Sequence, residues 1–120
     1  MKVELKIYHI NENDKLTSDI YDVVVHFHHS KPKKNAKRYT ECEIILMHEG
    51  KDEMAFSDFA RCMPQDNFVK ETGRRISFVH CIDKVAAYFG LHNRVIETKS
   101  LIDLAHKLSF TERDLFNEIN

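Results

Sequence analysis

The apolar residues of this chain change rhythm once, and that change restricts the folds open to it. In the first half they recur near every second position; after Pro64 they recur every third or fourth. Val3, Leu5 and Ile7, with His9, alternate with Lys2, Glu4, Lys6 and Tyr8, the period of a half-buried strand. Residues 11–18 are polar and turn-forming, and residues 20–29 return to β-branched and aromatic side chains: Ile20, Tyr21, Val23, Val24, Val25 and Phe27. Ile44, Ile45, Leu46 and Met47 then mark a third strand over 41–48. Beyond the turn Glu49-Gly50-Lys51-Asp52, the residues Met54, Ala55, Phe56 and Phe59 mark a fourth, so strands three and four read as a hairpin.

Past Pro64, Phe68, Thr72, Ile76, Val79, Ile82, Val85, Ala86 and Phe89 lie on one face of a long helix over 66–89. Asp66 is its expected N-cap and Gly90 its expected stop, while Gly73 either splits it or lets it approach a neighbouring backbone. Residues 98–120 read as a helical hairpin. Its first helix carries Leu101, Leu104, Ala105 and Leu108 with Ser100 as cap; its second carries Leu115, Phe116 and Ile119 behind a Thr111/Asp114 capping box. Strands followed by helices predict an α+β fold: a four-stranded antiparallel sheet (1–62, a β-meander) covered by one long helix, then two short C-terminal helices.

A chain of 120 residues is the size of one domain with a real core, and 42% hydrophobic with 31% charged residues is an ordinary globular balance. One α+β domain over 1–120 is the expectation. A net charge of −1 creates no global field toward nucleic acid or membrane, so any such binding must come from a local patch. Three cysteines, Cys42, Cys62 and Cys81, without a Cys-x-x-Cys pair, read as reduced thiols of a cytoplasmic protein. No apolar run approaches the ~20 residues of a membrane helix.

Eight histidines draw the eye first. His26 and His28 share one side of the second strand, a spacing for two imidazoles on one metal with Cys42 or His48 as further ligands, yet no ligand pair has a recognised zinc spacing. The expectation is a wet sheet face and no metal. Cys62, at a strand-to-helix transition, could be activated by helix amides, but a buried structural thiol is the preferred reading. With no nucleotide-loop, nucleophile-elbow or His-Glu-x-x-His motif, neither catalytic residues nor a cofactor are expected.

The basic connection over residues 30–40 carries Lys31, Lys33, Lys34, Lys37 and Arg38 with Tyr39 beside them, and Pro32 interrupts its ladder. It reads as an exposed hairpin loop and is the leading candidate for phosphate or acidic-partner contacts, which Arg74 and Arg75 could join in space. The tail has the apolar skeleton of a helix-turn-helix. Its second helix, however, shows Glu112, Asp114 and Glu118 against Arg113, a poor match to DNA phosphates.

The segment Cys62-Met-Pro64-Gln-Asp66-Asn-Phe68-Val-Lys-Glu-Thr-Gly73-Arg74-Arg75-Ile76 resembles a motif of small phage and prophage proteins, in which a strand ends in Cys-x-Pro-x-Asp-x-Phe and continues into a Gly-Arg-Lys helix. Arg75 stands where that pattern has Lys, and residues 77–85 depart from its basic, alanine-rich continuation. The resemblance implies a phage or mobile-element origin and a strands-then-helix order. It also implies a non-enzymatic role in blocking a host machine, as inhibitors of bacterial defence do, anti-CRISPR proteins among them.

The expected function is therefore a phage-encoded binding protein acting on a host defence or nucleic-acid-handling complex by protein contact. Its sites would be Lys31, Lys33, Lys34, Lys37, Arg38, Tyr39, Arg74 and Arg75. The alternatives are direct nucleic-acid binding through the basic loop or the tail, and a metal- or thiol-dependent enzyme. The expected partner is a host protein or ribonucleoprotein complex, with nucleic acid as a further possibility and no membrane, and the state is monomer or homodimer.

Overall fold

The computed structural model describes residues 3–32, 37–62 and 67–117. Five strands form one antiparallel sheet in the order β4-β3-β2-β1-β5: β1 (Val3–Ile10), β2 (Leu16–His29), β3 (Arg38–His48), β4 (Lys51–Cys62) and β5 (Arg94–Ile96). Three helices, α1 (Lys70–Leu91), α2 (Thr98–Lys107) and α3 (Glu112–Asn117), complete the α+β fold.

The two-residue rhythm sorts the sheet into faces. Leu5 and Ile7 of β1, Tyr21 and Val23 of β2, and Cys42, Ile44 and Leu46 of β3 are buried on one side. On that side α1 contributes Phe78, Cys81, Ile82, Val85 and Phe89, while Leu104 and Ala105 of α2, Phe110 and Leu115 close the same core. Alternate residues such as Val24, His26 and His28 point to the opposite face, which is exposed at these positions. The β3–β4 turn has Glu49 at φ 54 and Gly50 at φ 69, both left-handed as a tight two-residue hairpin requires.

The expected four strands are five. β5 spans three residues, too short to show a period, and is held as an edge by pairing Ile7 with Ile96 and His9 with Arg94. The expected strands also run longer, because ladder pairing extends into polar stretches such as 16–19 and 51–53.

Helix α1 is continuous through Gly73. An added Cβ at Gly73 would overlap Thr40 Oγ1 and lie 2.9 Å from Thr40 Cβ, so glycine is what lets the helix start sit directly on β3. Gly90 does not stop the helix, which runs to Leu91; the left-handed residue that ends it is Asn93, at φ 56. Asp66, the expected N-cap, lies outside the described residues, and the observed N-cap, Val69, makes no side-chain cap bond.

Ser100 is not the cap of α2, a position held by Glu97. Its hydroxyl instead accepts from the Lys6 amide at 3.1 Å and donates to the Glu97 carbonyl at 2.9 Å, which satisfies part of the β1 edge beyond β5. The capping box before α3 forms as expected: the Asp114 amide donates to Thr111 Oγ1 and the Thr111 amide to Asp114 Oδ2.

Candidate functional site at the basic end

The β2–β3 connection, the last residues of β4 and the start of α1 meet at one end of the sheet. Register explains the meeting: Arg38 pairs with Cys62 and Tyr39 with Arg61 across β3 and β4, while His29 pairs with Thr40 across β2 and β3. Because Gly73 sits on Thr40, the first turns of α1 are drawn over the same residues.

At the centre, His29 Nδ1 shares a 2.8 Å hydrogen bond with Thr40 Oγ1, whose side chain is fully buried. The ring meets Phe68 edge-on with centroids 6.0 Å apart, and the Arg38 guanidinium lies over the Phe68 face at 3.9 Å. Arg38 Nη2 donates to the Ser30 carbonyl at 3.2 Å, whereas its buried Nε has no hydrogen-bond partner among the described residues.

His29 is held below the usual imidazole range, first by burial and then by the charges of Lys70, Arg74, His28 and Arg38. That set of causes is a map of the local field: cations from β3 and from α1 converge on one neutral ring. The first amides of α1, which no N-cap side chain covers, add the positive end of a 22-residue helix.

Beside this cluster lies a cavity of about 320 Å³ lined by Arg61, Cys62, Asn67, Phe68, Thr72 and Gly73, among others. The Cys62 thiol contacts the Asn67 carbonyl at 3.6 Å within it. With Arg61 on its lining and Arg38 over the Phe68 ring that forms part of its wall, this recess suits an anion.

The residues singled out from sequence distribute unequally. Lys31 and Lys37 are exposed at the loop's two ends, and Lys33 and Lys34 lie outside the described residues. Arg38 and Arg74 belong to the cluster. Tyr39 is a strand residue on the opposite face, packed edge-on against Phe59 with centroids 5.6 Å apart. Arg75 does not join Arg74; its charge acts on Asp114 in the first turn of α3. Residues one apart on a helix point about 100° apart, which separates the pair.

Sequence reasoning missed Lys70, Arg61, His29 and Phe68. Strand parity was the available signal for His29, which shares the core face with Thr40, and the Phe68-to-Gly73 spacing was the signal for Lys70 and Phe68; Arg61, paired with Tyr39 on the other face, had no such signal.

The histidine and cysteine candidates for metal do not converge. His26 and His28 are on the open face, while Cys42 is buried beneath α1 and His48 stacks on Tyr21 with centroids 5.0 Å apart. Among the described residues no group of three ligating side chains could hold a metal, and no described helix is long and apolar enough to cross a membrane.

At the other end of β2 a second polar cluster is closed on itself. Asp19 lies 3.8 Å from His48 Nε2 and 3.9 Å from Arg94 Nη1, and Arg94 donates to Tyr21 Oη at 3.0 Å. Its charges are matched internally. No family model, curated protein or solved structure matches this chain in comparisons against each.

Proposed function

We propose that this is a non-enzymatic binding protein that docks through its basic end onto the phosphates of a nucleic-acid-handling complex. The observation that carries the reading is the convergence of Arg38, Lys70 and Arg74 on His29, beside a recess that also takes Arg61. A chain of net charge −1 that concentrates described cations at one end has a directional field, and such a field steers association with polyanions. Arg38 Nε, without a hydrogen-bond partner among the described residues, and the first amides of α1, to which the N-cap Val69 offers no side-chain bond, are donors suited to phosphate oxygens.

The motif shared in pattern with small phage proteins adds the target class: a bacterial ribonucleoprotein or defence complex of the CRISPR kind. Phe68 and Gly73 of that motif build the basic end itself, one as the platform for Arg38 and the other as the close contact with Thr40. Capture from a bacterial lysate, with and without nuclease, followed by mass spectrometry tests the proposal. A nucleic-acid-handling complex retained by the native chain and lost with Lys70→Glu/Arg74→Glu is expected; retention of the same proteins by both forms would contradict it.

A further inference from the structure

The face of the sheet away from the helices carries a pattern that the phosphate reading does not use. Val24 is 37% exposed there and pairs across the strands with the half-buried Ile45. Next along the same two strands, His26 pairs with Glu43 and His28 with Glu41. The open face of β2 and β3 is therefore an apolar rung followed by two rungs in which an imidazole sits beside a carboxylate.

We infer that this face is the seat of a second copy of the chain, packed face to face about a two-fold axis that runs along the strands between β2 and β3. Such an axis places each of residues 22–29 of β2 over its own β3 partner in the other copy. Val24 then meets the partner copy's Ile45, and His26 and His28 meet its Glu43 and Glu41. Each imidazole then faces a carboxylate of the other copy as well as its cross-strand neighbour, so like charges never face each other. A surface in which histidine and glutamate alternate both within and between copies is self-complementary, as an isologous interface must be.

β2 pairs with β3 over residues 22–29, which gives three successive rungs on this face, Val24/Ile45, His26/Glu43 and His28/Glu41, spaced ~6.8 Å apart. Facing sheets in aligned packing keep their strands within about 30°, compatible with this axis. Edge-to-edge pairing is the less suited route to assembly, because Lys84 Nζ binds the outward Ser57 carbonyl of β4 at 2.8 Å and His80 Nδ1 the Phe59 carbonyl at 2.9 Å. The inference does not rest on the basic end.

Sedimentation velocity of the full chain over a wide concentration range tests it. The native chain is expected to dimerise, and His26→Glu, which sets four carboxylates together, two from each copy, to raise the dissociation constant on the order of 30-fold or more. The exchange His26→Glu/Glu43→His re-creates the alternation and should restore the dimer; Ile45→Lys should abolish it, with circular dichroism reporting that each variant folds. A native chain that stays monomeric, whether the face is bare or taken by another molecule, overturns the inference. So does a dimer indifferent to these substitutions, or one that the exchange fails to restore.

Discussion

Gly73 is the residue on which the basic end turns. Its missing side chain allows α1 to rest on Thr40, which in turn holds His29 under the cations of the helix. Gly73→Ala gains helix propensity but forces a methyl group into the Thr40 hydroxyl. Overpacking of this kind costs about 1–3 kcal/mol, so a lower denaturant midpoint is expected in equilibrium unfolding.

His29 gives a second test at the same scale. Its folded pKa is depressed, so the unfolded chain takes up the proton first: the stability it contributes is present above the ordinary value near 6.5 and is lost as pH falls below it. An NMR titration should find the His29 ring titrating below a free imidazole. Added oligonucleotide should move that midpoint upward, since phosphate charge offsets Lys70, Arg74 and Arg38; an unmoved midpoint would speak against an anion at this ring.

At the scale of elements, the alternating and helical rhythms made most of the sheet and α1 legible before any coordinates. What they hid was set by tertiary contact. β5 is too short to show a period; Gly90 could continue the helix because the chain reverses three residues later; and Ser100 was taken from the cap of α2 to bond the amide of Lys6. The basic loop was readable as a patch, but its union with Arg74 and Lys70 depends on the seating of α1 over β3, and no local spacing encodes that crossing.

The same crossing sets thiol chemistry. Cys42 on β3 and Cys81 on α1 are fully buried side by side, and the hydrogen bond between them together with burial pushes the Cys42 thiol well above its ordinary range. Cys62 is partly exposed beside the cavity. A disulfide reagent added to the native protein should therefore titrate one thiol quickly, with the other two following only on unfolding. Fast reaction of two would mean that α1 is not seated as described.

Taken whole, the molecule is long, with extents of 57 × 31 × 26 Å, and β2 runs between two unlike ends. At one, Asp19 balances Arg94 and His48; at the other, Arg38, Lys70 and Arg74 act on His29, Arg61 lines the adjoining recess, and Lys31 and Lys37 are exposed at the ends of the basic loop, six described cations in all. Phosphate binding at the second end is the central claim, and the salt dependence of affinity for a fluorescent single-stranded oligonucleotide, read by anisotropy, tests it most directly. If all six cations meet phosphates, the logarithm of the association constant should fall with the logarithm of salt at a slope of about −4, and Lys70→Ala or Arg74→Ala should each remove about 0.7 of it. A slope near zero, or one that neither substitution changes, would contradict the account.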